Sequence, residues 1–210
     1  ALLLNEIKHR LFSGYVQTVT CLPYFLSWVI LGGIFTSILS PSNGIINEVI
    51  RFFGGDPVYF LGSNDTFPWT LIITDTWKNF GFSSIVYLAA MSSIDPALYE
   101  AAEMDGANIF QKIRYITLPE LKSTIIIMTL MSIGGIFRGD FSMFYQLVGN
   151  NGLLFNATDV IDTFVFRSLM TTQEFGMSAA VGLYQSVLCF ILIMITNRTV
   201  KKIDPDSALF

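Results

Sequence analysis

The chain has 210 residues, of which 52% are hydrophobic and 13% charged, and its mean hydropathy is +0.58. Because soluble domains carry about 25% charged residues, this composition indicates a protein of the lipid bilayer. The formal net charge of −4 and the lack of a basic stripe argue against a nucleic-acid partner.

The first residues, Ala1 to Leu4, are typical of the end of a membrane span, and no initiating methionine precedes them. We therefore expect that an upstream part of a longer chain is missing here. Cys21 and Cys189 lie inside apolar runs, which predicts buried small side chains and not a disulfide or a metal site. His9 has no Cys or His neighbour in the sequence, so no zinc site or nucleophilic triad is predicted.

Four apolar stretches predict membrane spans, because each approaches the ~20 residues that a helix needs to cross the hydrocarbon core. The first stretch contains Pro23, which predicts a kink, and the second contains Asp75 and Lys78. The third is short between its charged ends, but the stem of Lys122 can extend to the interface. The predicted spans are about 16–39, 68–94, 118–137 and 175–197.

A polar segment, residues 96–118, separates the second and third predicted spans. Asp95 is a favourable N-cap, and Pro96 fits the first helical turn. Gly106 predicts a hinge, because glycine adopts a left-handed backbone without steric cost. The segment is therefore predicted to form a hairpin of two short helices, about 96–105 and 107–117.

Seven positions of this hairpin form a motif with fixed spacing. They are Glu100, Ala101, Ala102, Gly106, Ile116, Leu118 and Pro119. The motif resembles the "EAA" cytoplasmic loop of ABC-importer permeases, the membrane subunits that dock on a separate ATPase dimer. The alternative interpretation is an ordinary amphipathic hairpin between two spans.

The resemblance covers essentially the whole chain. Beyond the hairpin, the chain is similar to the carbohydrate branch of these permeases, especially its multiple-sugar and lipoprotein-linked polysaccharide members. The resemblance implies an all-α, polytopic transmembrane bundle of the type I ABC-importer permease kind. It also implies that the first span and most of the second span are missing from this chain. The further segments that carry the resemblance are residues 22–29 (LPYFLSWV), 94–102 (IDPALYEAA), 159–167 (DVIDTFVFR) and 180–187 (AVGLYQSV).

The resemblance also implies a function. The chain would be a non-enzymatic permease subunit of the bacterial plasma membrane that forms the path for a sugar or oligosaccharide. Its implied partners are a second permease subunit, a cytoplasmic ATPase dimer, an extracytoplasmic solute-binding protein and the bilayer. The sequence has no GxxxxGK[ST] phosphate loop, so we expect ATP and Mg²⁺ on the partner ATPase and no cofactor on this chain. The alternatives are a permease for peptides or amino acids and, from another class, a membrane scaffold or sensor.

Within the hairpin, the small side chains of Ala101 and Ala102 allow another backbone to approach closely. Glu100 has two interpretations, which are contact with a basic residue of the partner ATPase and an internal lock of the hairpin. Three residues connect the second helix to the next span: Ile116, Leu118 and Pro119. Through this connection a movement of the hairpin would move the span.

One face of the second predicted span is polar. Asp75, Lys78, Asn79 and Phe82 follow an i, i+3, i+4, i+7 pattern, which places them on one side of a helix. Ionisable residues in a span usually face a bundle interior or a wet cavity, and the resemblance makes this face a candidate for the sugar path. The alternative is an Asp75–Lys78 pair that anchors the span to its neighbours.

Ser132 and Phe137 of the third predicted span are further candidates for the path, because the resemblance implies that this span also lines the cavity. Helix packing at Gly134 and Gly135 is the alternative interpretation of this region.

The basic residues predict the orientation of the chain. If the four spans alternate, most of the 12 lysine and arginine residues lie on the side of the hairpin and the C-terminus, which predicts that both face the cytoplasm. The residues on that side are Lys8, Arg10, Lys112, Arg114, Lys122, Arg198, Lys201 and Lys202, and those on the other side are Arg51, Arg138 and Arg167.

Overall fold

The fold is known from a computed structural model that describes residues 1–7, 9–149, 151–173 and 175–203. Over those residues the chain is helical and has no β-strand, as the sequence predicts. Lys8 and the residues after 203, which the sequence analysis places on the cytoplasmic side, lie outside the described residues. The chain divides into two compact units, one formed by residues 1–20, 80–137 and the chain from Ser186 onward, and the other by residues 21–79 and 138–185.

The first unit holds most of the predicted hairpin and the helices next to it. Its elements are α1 (Leu2–Asn5), most of α2 (Arg10–Cys21), the end of α5 (Phe67–Ser92), α6 (Pro96–Met104), α7 (Ile109–Lys112), a π-helix (Ile113–Thr117), α8 (Leu118–Glu120), α9 (Lys122–Gly134) and the end of α13 (Phe175–Ile203).

The core of the first unit lies beside the hairpin. Met91, Ile94 and Leu121 are buried, and Tyr99 and Ile116 of the hairpin pack against them. The hairpin is therefore anchored to the end of α5 and the start of α9 by apolar burial.

The second unit is built from shorter elements. They are a 3₁₀-helix (Leu22–Phe25), α3 (Trp28–Ile38), α4 (Ile45–Phe52), the start of α5, α10 (Phe141–Val148), a second 3₁₀-helix (Gly152–Leu154), α11 (Phe155–Thr158), α12 (Ile161–Thr172) and the start of α13. In this unit α10 packs against α3 and α12. The buried side chains of its core are Trp28, Leu31, Phe67, Leu71, Met143, Leu147, Val148 and Leu154.

Asn47 on α4 is a fully buried polar residue of the second unit. Its Nδ2 donates to the carbonyls of Ser40 and Val58 at 3.1 and 3.0 Å, and its Oδ1 accepts from the Val58 amide at 2.7 Å. A buried amide is tolerated only when it is hydrogen-bonded, and these bonds fix the turn after α3 and the loop after α4 to one another.

The first predicted span, 16–39, is wrong as a continuous helix. The structure ends α2 at Cys21, follows it with the 3₁₀-helix and begins α3 at Trp28. Pro23 has no N–H and its ring disfavours a continuing α-helix, so the predicted kink is a full break. Leu26 and Ser27 are extended there, and the Ser27 hydroxyl caps the new helix by accepting from the Ile30 amide.

The third predicted span, 118–137, also differs from the structure. Leu118 and Pro119 continue the helical arm of the hairpin, and the helical segments Ile109–Glu120 and Lys122–Gly134 are bent by 60° relative to one another. Since Pro119 cannot donate to a carbonyl of the preceding turn, the helix before it widens to the π form. The α9 helix ends at Gly134, three residues short of the prediction.

The other two predicted spans correspond to single helices, α5 for 68–94 and α13 for 175–197. By length and composition, one described helix, α13, is able to cross a membrane, and up to three spans result if each of two broken helix pairs counts as one. Asp75 and Lys78 lie within α5. Cys21 and Cys189 are buried and free, as predicted.

Candidate functional site

The hairpin begins and turns where the sequence predicts. The Asp95 side chain accepts from the Ala97 amide at 3.0 Å and caps α6. Gly106 has a φ of +77°, and the Ala107 amide then donates to the Ala102 carbonyl at 2.9 Å. This backbone conformation costs an L-residue about 1–2 kcal/mol, so glycine is required by the turn itself. A Cβ at Gly106 would meet no atom within 4 Å, so the requirement is conformational and not one of packing.

The second arm of the hairpin has a start signal that the sequence analysis did not use. The Asn108 side chain accepts from the Gln111 amide at 3.0 Å, and the Gln111 side chain accepts from the Asn108 amide at 2.7 Å. This reciprocal pair is a capping box, and the Asn-x-x-Gln spacing could have predicted it. It starts the second arm at Ile109, two residues later than predicted.

Two side-chain contacts join the arms of the hairpin. Lys112 Nζ lies 2.7 Å from Glu103 Oε1, and the Tyr99 and Thr117 hydroxyls are hydrogen-bonded at 2.9 Å. Thr117 is buried, so the second contact is shielded from water. Together with the turn they hold the two arms in a fixed relative position.

The seven residues of the motif divide between the core and the surface. Ile116 packs against the core and Ala102 is half-buried. The exposed members are Glu100, Ala101, Gly106, Leu118 and Pro119.

Glu100 points away from the internal contacts of the hairpin. It is exposed, and no ion pair or side-chain hydrogen bond reaches it from the described residues. The internal lock that the sequence analysis considered for Glu100 is instead formed by Glu103. The Glu100 carboxylate is therefore available to another molecule.

The hairpin also carries large apolar side chains that its own fold does not cover. Met104, Phe110 and Tyr115 are 89%, 79% and 74% exposed. Exposed apolar side chains of this size on an ordered element are typical of a protein contact surface.

The second predicted site, the polar face of α5, belongs partly to the second unit. Lys78 is buried there, and its Nζ donates to the carbonyls of Tyr24 and Leu26 at 2.8 and 2.9 Å. These two carbonyls belong to the break after α2, where the helical hydrogen-bond pattern is interrupted. The amine also lies 5.4 Å and 5.5 Å from the centres of the Tyr24 and Trp28 rings, at cation–π distance.

Asp75 does not form an ion pair with Lys78, so the alternative prediction of an Asp75–Lys78 pair that anchors the span is wrong. The Asn79 side chain donates to Asp75 Oδ1 at 2.7 Å, and both residues are half-buried. In the same unit Trp28 Nε1 donates to Asp140 Oδ2 at 2.6 Å. The polar groups of this cluster thus have separate partners, and Lys78 serves the backbone of the broken helix.

The other predicted path residues occupy the first unit. Phe82 is 39% exposed and stands two turns after Asp75 on the continuous helix α5. Ser132 is exposed, and its hydroxyl donates to the Met128 carbonyl of its own helix at 3.0 Å. Phe137 lies beyond the end of α9 and is 39% exposed. A Cβ at Gly134 would lie 2.9 Å from Ile193 Cδ1, so helix packing explains that glycine.

Comparison with known proteins places these features in a family. Residues 1–205 match the family described as the binding-protein-dependent transport system inner membrane component. The chain is 39% identical to the polygalacturonan/rhamnogalacturonan transport system permease protein YteP and 35% identical to the protein LplB, both of Bacillus subtilis, over 207 residues in each case. Each alignment covers 99% of this chain, which spans 64% of the length of either relative.

A solved structure shows the same fold. The crystal structure of a bacterial ABC transporter involved in the import of the acidic polysaccharide alginate contains a chain that matches with a TM-score of 0.91 and 35% identity. The match covers 97% of this chain and 70% of that chain. The same likeness holds for that alginate transporter in complex with its alginate pentasaccharide-bound periplasmic protein. The permease fold predicted from the sequence is thereby confirmed.

Proposed function

The chain belongs to the family of binding-protein-dependent inner-membrane transport components, and from that premise we propose that it is a permease subunit of an ATP-driven importer of oligosaccharides. It forms part of the translocation path together with a second permease subunit. A separate ATPase dimer binds ATP and Mg²⁺, and an extracytoplasmic protein delivers the solute. The chain itself carries no catalytic step.

The observation that supports this proposal most strongly is the outward surface of the hairpin. Glu100 is exposed and has no ion pair or side-chain hydrogen bond among the described residues, and large apolar side chains of the same hairpin are uncovered. The hairpin behind this surface is held by the Glu103–Lys112 ion pair and by core contacts of Ile116. A rigid element with an uncovered contact surface can transmit the closure of a partner ATPase to the membrane helices, which is the coupling role proposed for the seven motif residues.

The hairpin and the C-terminus face the cytoplasm in this proposal, because the basic residues are concentrated on that side. Single cysteines at positions 108 and 64 test the orientation, since the native Cys21 and Cys189 are buried and give little background. In intact spheroplasts an impermeant maleimide should label position 64 and not position 108. Labelling at 108 alone would reverse the orientation.

We place part of the solute path at Asp75, Asn79 and Phe82, with Ser132 and Phe137 as further members. Lys78 acts at a distance from the solute, because its amine is buried against two carbonyls and positions the start of α3. Phe82→Ala and Asn79→Ala should therefore reduce uptake while the complex still assembles. Full uptake by both variants would move the path elsewhere.

The oligosaccharide class rests on the substrates named for the similar proteins, which are polygalacturonan and rhamnogalacturonan for YteP and alginate for the solved transporter. The test is uptake into proteoliposomes that hold both permease subunits and the ATPase, with the solute-binding protein added outside. ATP-dependent accumulation of a labelled galactan or galacturonan oligosaccharide supports the proposal. Accumulation of a labelled oligopeptide in its place would favour the peptide-permease alternative, and ATP hydrolysis without uptake of either would favour a sensor.

A further inference from the structure

The second unit contains a cavity that the hairpin and the polar face of α5 do not explain. It lies among α10, α11 and α12 and has a volume of about 330 Å³. That volume is at the lower end of the ~300–1,000 Å³ found for small-molecule sites, so it fits a unit of monosaccharide size better than a long chain. The residues that matter for its chemistry are Phe144, Tyr145, Phe155, Asp159, Phe166 and Arg167.

Aromatic rings form the walls of this cavity. Tyr145 and Phe166 lie edge to face with their ring centres 5.2 Å apart, and Phe155 lies under the Arg167 guanidinium at 4.0 Å. Phe155 and Phe166 are half-buried, so part of each ring remains open to a ligand. Flat apolar walls with a few polar groups are the usual construction of a small-ligand site.

One ion pair supplies the charged groups of the cavity. Arg167 lies 2.6 Å from Asp159 Oδ2, and the Thr163 hydroxyl donates to Asp159 Oδ1 at 3.1 Å. The side chains of Arg167 and Asp159 are 26% and 28% exposed, so both can also be reached from the cavity. A guanidinium has five N–H donors and a carboxylate about four acceptor sites, so the pair keeps unused donors and acceptors next to each other.

We propose that this cavity binds one ring of an uncharged hexose, with the aromatic walls against its C–H face and the Asp159–Arg167 pair on its hydroxyls. A hydroxyl both donates and accepts, so neighbouring hydroxyls match a carboxylate and a guanidinium that lie side by side. The pair has no net charge, and a uronate carboxylate would add a second negative charge beside Asp159 without an unpaired cation to meet it. This inference rests on the proposed oligosaccharide import and adds the class of sugar ring that this site selects.

Protection of a cysteine from labelling measures binding in the cavity itself. Met170 lines the cavity and is 64% exposed, whereas Met177 is 53% exposed and lies outside it. The Met170→Cys and Met177→Cys permeases are assembled with the partner permease and the ATPase, without the binding protein, and are labelled with a maleimide. Galactan and galacturonan oligosaccharides of equal length are the two probes.

The proposal predicts that the galactan slows labelling at position 170 more than the galacturonan does, and that neither slows labelling at position 177. Asp159→Asn leaves Arg167 without its counter-charge and should shift the preference toward the galacturonan. The double variant Asp159→Asn/Arg167→Gln is uncharged again and should restore the preference for the galactan. The comparison of galactan with galacturonan at position 170 uses the native ion pair. It therefore remains interpretable even if an ion-pair variant fails to assemble.

Equal labelling rates with and without both probes, or stronger protection by the galacturonan with the native pair, would overturn the inference. Uptake by the Met170→Cys complex distinguishes a cavity that does not bind sugar from a complex that does not import oligosaccharides. Uptake of an oligosaccharide without protection rejects the cavity as a sugar site and leaves the importer intact. Absence of oligosaccharide uptake with the unsubstituted chain rejects the importer, while protection still decides on the cavity.

Discussion

Two lysines in the two units have different partners. Lys112 joins the arms of the hairpin; its side chain is 19% exposed, and that of its partner Glu103 is 65% exposed. Lys78 is buried and donates to two backbone carbonyls at the break before α3. Screening by water makes an exposed ion pair worth little, whereas a buried carbonyl that loses its donor has no water to replace it.

The comparison separates residues that hold the fold from residues that serve a partner. In the second unit Lys78, Asn47 and Asp140 are occupied by internal hydrogen bonds. In the hairpin the outer side chains are left uncovered, and Glu100 has no partner among the described residues. Substitutions of Lys78 or Asn47 should therefore lower stability, and substitutions on the outer face of the hairpin should lower coupling.

The largest loss of stability is expected for Lys78→Met. The variant keeps an apolar stem of similar length but leaves the Tyr24 and Leu26 carbonyls without their donor, at a cost of about 3 kcal/mol. Thermal unfolding of the purified complex in detergent measures it. The matched change Lys112→Met should cost only about 0.2–1 kcal/mol. Equal losses for the two variants would contradict the contrast between the units.

A smaller loss is expected for Asn47→Ala. Removal of the amide leaves the Val58 amide and carbonyl without their partner beside the buried position 47, at about 2 kcal/mol. The control is Asn64→Ala, because Asn64 makes a single exposed bond to the Leu153 carbonyl at 2.9 Å. If the control unfolds as early as Asn47→Ala, the buried network does not stabilise the second unit.

Replacement of Gly106 by valine should cost about 1–2 kcal/mol, because a β-branched residue is strained at positive φ. Gly54 offers a matched control in the second unit, since its φ is +82° and a Cβ there would also meet no atom within 4 Å. The two variants should unfold at similar temperatures. Uptake should be lost only in Gly106→Val, and loss of uptake in both would show that strain alone, and not the hairpin, is responsible.

The hairpin could be predicted from the sequence because its determinants are local. The Asp95 cap, the Gly106 turn and the motif spacing all act within a few residues, and each has its counterpart in the structure. The π-helix was missed, although Pro119 gives a physical reason for it. The capping box at Asn108 is equally local, because it is encoded in the Asn-x-x-Gln spacing.

The polar cluster could not be predicted in the same way because its contacts are remote in sequence. Lys78 reaches carbonyls 54 and 52 residues away, and Trp28 bonds to Asp140 across 112 residues. Helical periodicity places side chains on one face of α5 but does not say which backbone they meet. Pro23 predicted a kink, and only the structure shows that the break supplies the acceptors for Lys78.

Substitution of Glu100 is expected to change stability least. It also tests most directly whether the uncovered face of the hairpin carries the coupling to the ATPase. Glu100→Ala removes a side chain that has no ion-pair or hydrogen-bond partner among the described residues, whereas Glu103→Ala removes the ion pair with Lys112. The measurement is ATP hydrolysis stimulated by the binding protein, in the complex with both permeases and the ATPase. Glu100→Ala should lose most of the stimulation at an unchanged unfolding temperature, and Glu103→Ala should keep most of it. Full stimulation with Glu100→Ala would contradict the claim that the uncovered face of the hairpin carries the coupling.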